Sequence, residues 1–258
     1  MDLSTDESKA LAKAVDELYL LSLPRSKKRG RRDLVVAHAR EMLEKAIIED
    51  LGHSGIDDSE TDVWDVYIYD IYPPDPWFKR YLPWFLEQIA LDGGFDFGTG
   101  LIFKKLSDAD VREWPEFERQ TIEDYVIAFW KNLLITPCGY ASLEGAIECF
   151  SLVLDDVRPL LRIWEDYFES GSETSIRHIL KLLEENWPEF NRDRIFDDNF
   201  IEKFPSLTPV QGALRTVREW VLDLKLRQVF EDISEHGQSE VCRELAFDIA
   251  YYLQRLKQ

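Results

Sequence analysis

The sequence predicts an all-α protein: an irregular helical bundle or a short α-solenoid of helix hairpins, with at most one small β-hairpin near 95–103. Three observations carry this. Apolar residues recur at i, i+3 and i+4 through most of the 258 residues, the period of one helix face. Only 12 Gly and 11 Pro are present, which suits long helices better than many short strands joined by turns. Helix start and stop residues also bracket most of the apolar runs. At 45% hydrophobic and 13% aromatic the chain folds around a core, and a core of this size needs no disulfide or metal. The expected organisation is an N-terminal helical pair over 1–56 and a main all-α domain over 57–258, or the two as one continuous domain.

Residues 6–22 read as the first helix. Ser4 and Glu7 have capping-box spacing, Leu11, Val15 and Leu18 form its apolar stripe, and Pro24 stops it. The basic run Arg25 to Arg32 follows, which reads as a solvated loop favoured by the negative end of helix one, as a nucleic-acid or localisation patch, or as a patch that docks on the chain's own acidic stretch. Residues 32–51 read as a second helix with Leu34, Val35, Ala39, Met42, Leu43 and Ala46 on one side, His38 close to that side as a hydrogen-bonded core residue, and Gly52 as C-cap.

Val63 to Tyr72 fits either strand or helix, and Pro73, Pro74 and Pro76 end it. Asp75 before Pro76 is an N-cap and N1 pair, so a helix starts there and runs to Gly93 and Gly94, kinked or split at Pro83. Trp77, Tyr81, Trp84 and Phe85 have the spacing of a core stripe on it. Phe95 to Phe103 reads as a hairpin or ordered loop, Ser107 as the start of a short helix, and Pro115 as the start of a longer one with Phe117, Ile122, Val126, Phe129 and Leu133 on its face. Helices are then predicted over 142–154, 156–169, 173–185, 208–222, 224–234 and 239–256, with a polar connection over 186–207. Thr208, Pro209 and Gln211 supply a cap, a Pro at N1 and a capping-box partner.

The charge narrows function. With 50 acids against 31 bases the formal net charge is −19, which opposes binding to nucleic acid or anionic lipid, where Lys and Arg must neutralise phosphates. Residues 51–100 alone hold ten acids and two bases. No apolar run reaches the ~18 residues of a membrane helix. Three widely spaced cysteines without CxxC imply reduced thiols, and the acidic N-terminus is unlike a signal peptide, so the expected compartment is the cytoplasm.

Chemical motifs are scarce. His38, His53, His178 and His236 form no HxxxH, HExxH or ExxH pair, so a zinc or di-iron helix site lacks its ligands. Asp58, Glu60 and Asp62 alternate like the start of a calcium loop, but Val63 stands where its Gly is required and Tyr69 where its bidentate Glu is required. Gly52 to Gly55 reads GHSG, one residue short of a nucleophile elbow, and GGFDFGTG lacks the Lys of a phosphate loop. Adjacent acids such as Asp155 and Asp156 point apart on a helix and read as solvated faces and caps. No cofactor is expected. The candidate binding surface is the acidic, aromatic stretch carrying Asp57, Asp58, Asp62, Trp64, Asp65, Tyr67, Tyr69 and Asp70, a composition suited to a basic protein partner.

RYLPWFLEQIAL at 80–91 resembles the "YLPA(F/Y)L" segment of a group of uncharacterised bacterial all-α proteins. FERQTIEDYVIAFW at 117–130, VRPLLRIWED at 157–166, VREWVLDLKLRQVFEDI at 217–233 and CRELAFDIAYYL at 242–253 are similar to later helices of that group. The resemblance covers roughly 64–258, with Trp84 where the group has a small residue, and it implies a bacterial origin and an all-α fold without assigning any site residue. The expected function is a non-enzymatic protein-binding module, immunity- or antitoxin-like in its sharper form. The alternatives are an enzyme with a site assembled from dispersed residues and a helical scaffold subunit.

Overall fold

The computed structural model describes residues 4–23, 31–53, 76–92, 97–137, 143–192 and 208–256. The described residues form α1 (Asp6–Ser22), α2 (Arg32–His53), α3 (Pro76–Asp92), α4 (Phe97–Asp108), a 3-10 turn (Val111–Glu113), α5 (Glu116–Ile135), α6 (Leu143–Ser151), α7 (Arg158–Glu169), α8 (Glu173–Arg192), α9 (Thr208–Val221), α10 (Leu224–His236) and α11 (Glu240–Arg255). The all-α expectation holds, and no strand occurs among the described residues. The chain divides into two compact units, residues 1–129 and 130–258.

In the first unit α1 packs on α2 and α3, and α2 on α3. The side of α1 that carries Leu11, Val15 and Leu18 is fully buried. Its cap is Thr5, whose side chain accepts from the Ser8 amide at 3.1 Å, in place of the predicted Ser4 box. On α2 the buried residues are Val35, Val36, Ala39, Leu43, Ala46 and Ile47, an arc of roughly 120° at 100° per residue. His38 lies about 60° outside that arc and is exposed, as are Leu34 and Met42, so the expected core histidine is a surface residue. The helix also runs past Gly52 to His53.

α3 is one helix through Pro83, not two. Tyr81 and Phe85 are buried as predicted and Trp84 is half-buried, while the side chain of Trp77 lies outside the described residues. The predicted hairpin is overturned over Phe97–Phe103, where α4 stands. The reason is periodicity: Thr99, Ile102, Phe103 and Leu106 fall at i, i+3, i+4 and i+7 and are all buried, which outweighs a cost of about 1 kcal/mol for each helical Gly. Ser107 therefore closes a helix where one was predicted to open. On α5, Ile122, Val126, Phe129 and Leu133 are buried as expected, but Phe117 in its first turn is exposed.

In the second unit α11 packs on α8 and α10, α9 on α6 and α7, and α8 on α6 and α7. A run of edge-on and tilted rings forms its core. Trp130 meets Phe150 and Trp164, Trp164 meets Trp220, and Phe168 meets Trp220 and Phe230, with centroids 4.9–6.4 Å apart. Each indole N–H in the run has an acceptor: Trp130 donates to the Leu160 carbonyl at 2.8 Å, Trp164 to the Ser175 carbonyl at 3.1 Å and Trp220 to Glu165 at 2.6 Å. Burying an indole without such an acceptor would leave an unpaired donor at a cost of about 1–3 kcal/mol.

α7 ends on Gly171 at φ +84°, where Gly171 and Ser172 donate back to Phe168 and Tyr167, a Schellman closure that needs the left-handed residue. α8 continues through Pro188 to Arg192, so the predicted polar connection is helix over 186–192, and 193–207 lie outside the described residues. Ser239 caps α11 by accepting from the Cys242 amide at 3.1 Å, and Asp223 caps α10 by accepting from the Lys225 amide at 3.0 Å.

Candidate functional site

Asp57, Asp58, Asp62, Trp64, Asp65, Tyr67, Tyr69 and Asp70 lie outside the described residues, as do Cys138 and most of the basic run from Arg25. At the end of that run, Arg31 pairs with Asp33 and Arg32 with Glu17, exposed contacts of small energetic weight.

The kind of surface expected of that stretch occurs on α11. Its buried residues are Cys242, Leu245, Ala246, Ile249 and Leu253. At 100° per residue, Glu240, Glu244, Phe247, Asp248, Tyr251 and Arg255 fall within one arc of about 100° on the opposite side, and all six are exposed. Phe247 is 65% exposed and Tyr251 51%. Arg255 donates to the Tyr251 hydroxyl at 2.8 Å and lies 5.4 Å from its ring centroid, fixing the ring as part of the surface.

The carboxylates of Glu240, Glu244 and Asp248 interleave with the rings, and none has an ion-pair partner among the described residues. They stand at i, i+4 and i+8. Like charges at that spacing each cost a few tenths of a kcal/mol, offset only at Glu240 by its place in the first turn. Packing requires none of this: the helix is held by its other face. The signal is present in the sequence, since Phe247 and Tyr251 fall off the period of Cys242, Leu245, Ala246, Ile249 and Leu253, but aromatic residues are denser over 57–72.

The titratable groups with perturbed environments are dispersed. His178 is buried on α8 and its Nε2 lies 3.2 Å and 3.0 Å from the carbonyl oxygens of Leu133 and Thr136, so Nε2–H is the donor of a neutral ring. Burial lowers its pKa, and these two bonds offset only part of that. Glu148 on α6 is pushed up to about 7 by burial and by the neighbouring charge of Glu144. Burial, and then the charge of Glu148, push the Cys149 thiol up to about 12, the opposite of an activated nucleophile. Asp156 accepts from the Arg158 amide and guanidinium two residues on, one position outside Val157, the N-cap residue of α7.

The first unit contains a cleft of about 290 Å³ lined by Leu18, Leu21 and Ser22 of α1, Lys79, Arg80, Leu82 and Pro83 of α3, Trp114, and Glu118 and Ile122 of α5. Among the described residues that line it the one carboxylate, Glu118, is ion-paired with Lys79. Among the described residues no group of three or more His, Cys, Asp and Glu side chains could hold a metal ion, and no helix is long and apolar enough to cross a membrane. Compared with protein-family models, with curated proteins and with solved structures, the chain matches none.

Proposed function

We propose that the protein is a non-enzymatic module that binds a basic protein partner, and that the outer face of α11 belongs to the surface it presents. The observation that carries this reading is the pairing of two exposed aromatic rings, Phe247 and Tyr251, with three carboxylates that have no ion-pair partner among the described residues, on one face of a helix whose other face is used in packing. Aromatic rings supply contact area at low entropic cost, and the acids select by charge and speed encounter. The acidic stretch Asp57–Asp70 extends the same proposal on grounds of composition. The immunity- or antitoxin-like form of the reading rests on the net charge of −19, its concentration in residues 51–100 and the scarcity of catalytic motifs in the sequence.

The test is capture from a lysate of the native host on the immobilised full chain. Wild type is compared with the double variant Glu244→Lys, Asp248→Lys at about 0.05 M and 0.5 M salt, which span strong and weak screening. A basic protein held by wild type at low salt, and lost both at high salt and with the variant, supports the reading. A captured protein indifferent to both changes contradicts it.

A further inference from the structure

We propose that the cleft of the first unit binds a small monocarboxylate with an apolar body, the body lying among Leu18, Leu21, Leu82, Ile122 and Trp114 and the carboxylate on Arg80. The inference does not depend on the partner-binding reading of α11.

Three features of the cleft lead to this ligand. Its walls are aliphatic and aromatic: Leu18, Leu82 and Ile122 are almost wholly buried, and Leu21 and Trp114 are half-buried toward the opening. The Trp114 indole N–H already donates to the Ala109 carbonyl at 3.0 Å, so the ring offers apolar surface and no free donor. At about 290 Å³ the volume sits at the small end of ligand pockets, which suits a compact molecule and not a folded partner.

The charges at the mouth set the polarity of the ligand. Lys79 is committed, since its ammonium lies 4.2 Å from the centroid of the Trp114 ring and pairs with Glu118. Arg80 is not. Its guanidinium lies 5.4 Å from the Tyr81 ring centroid, and it has no ion-pair partner among the described residues. With no carboxylate facing it among the described residues, this guanidinium offers an anion charge-assisted donors beside an apolar cleft. Among the described lining residues, Lys79 and Arg80 against Glu118 leave the charge of one cation. A monocarboxylate therefore matches it, a neutral apolar molecule forgoes the Arg80 contact, and an amine is repelled.

The test uses octanoate, 1-octanol and octylamine as probes, titrated into the full chain by calorimetry. Octanoate is expected to bind saturably and at least about tenfold more tightly than either of the others. Arg80→Gln, an exposed substitution that leaves the walls intact, is expected to remove that preference while leaving octanol binding unchanged. Leu21→Trp, which fills the opening, is expected to weaken all binding by about tenfold or more at unchanged thermal stability. Equal affinity for octanoate and octanol, octanoate binding unaltered by Arg80→Gln, or no saturation by about 10 mM octanoate would each overturn the proposal.

Discussion

The phenol of Tyr19 donates to Glu87 at 2.6 Å, joining α1 to α3 across 68 positions of sequence. Arg40 of α2 completes the junction: it donates to the other Glu87 oxygen at 2.9 Å and to Asp16 at 3.0 Å, and stacks 4.9 Å from the Tyr19 ring centroid. Three helices thus meet on one half-buried carboxylate. Burial, and then the Glu87 carboxylate, hold the Tyr19 hydroxyl in its protonated form far above its ordinary range.

Tyr19→Phe is expected to lower the stability of the protein by about 1.5–3 kcal/mol, the range for a hydrogen bond to a charged group. Glu87→Gln removes the charge that Arg40 faces and is expected to cost a similar amount. Because the two act on one bond, their effects in a double-mutant cycle measured by urea unfolding are expected to fall short of additive by 0.5 kcal/mol or more. Strict additivity would show that the contact contributes nothing.

Glu148 makes stability depend on pH with a definite sign. Its folded-state pKa, about 7, lies above the ordinary carboxylate value of 4.5, so the native state holds the proton more tightly than the unfolded state does. Its contribution is greatest below pH 4.5, declines as the pH rises toward 7, and is level above that. Glu148→Gln is therefore expected to match wild type in thermal midpoint near pH 4.5 and to exceed it at pH 8. The gain is about 1 kcal/mol once the partial exposure of the group is allowed for.

His178 acts in the opposite direction. Its lowered pKa means that protonation favours the unfolded chain, so its contribution is complete above pH 6.5 and is lost as the pH falls below that. His178→Gln is expected to destabilise the protein at pH 8, by disturbing the bonds to the carbonyls of Leu133 and Thr136, and to flatten the loss of stability between pH 6.5 and 5. Thermal midpoints across that interval give the comparison.

Gly171 and Gly237 fail differently when given a side chain. At Gly171 nothing crowds a Cβ, and the cost is the left-handed backbone alone, about 1–2 kcal/mol for alanine. At Gly237 the backbone is ordinary, but a Cβ would stand 2.5 Å from the Ile233 carbonyl oxygen, so the α10–α11 connection must shift. Gly237→Ala is expected to cost about 1–3 kcal/mol by overpacking, and amide exchange should show α11 loosened; Gly171→Asn should recover part of the loss seen in Gly171→Ala.

Most of the fold was legible because helix periodicity and caps are local signals. The predicted spans at 6–22, 173–185 and 224–234 fall on α1, α8 and α10 to within a few residues, α8 excepted at its C-terminal end. Errors arose where a local breaker competed with a longer period. The glycines at 98 and 100 argued for a turn, yet Thr99, Ile102, Phe103 and Leu106 kept the helical phase and were buried together. His38 failed for a geometric reason, since one residue along a helix is a rotation of about 100° and is enough to carry a side chain from core to surface. The candidate surface on α11 is marked in the sequence only by Phe247 and Tyr251 falling off the apolar period of that helix, and their exposure follows once the other face packs on α8 and α10. The junction at Glu87 and the cleft beside Arg80 unite residues far apart in sequence and leave no local mark.

Whether the acids and rings of α11 bind a basic partner is read from the affinity of the captured protein, once purified, for wild type and for Phe247→Ala, Tyr251→Ala, across salt concentration. Both rings are exposed, so the variant should keep wild-type stability to within about 0.5 kcal/mol. It is expected to bind about 30-fold more weakly, the effect of losing about 2 kcal/mol of aromatic contact, and the affinity of wild type is expected to fall as salt is raised. Affinity unchanged by the loss of both rings, or insensitive to salt, would contradict binding by this face.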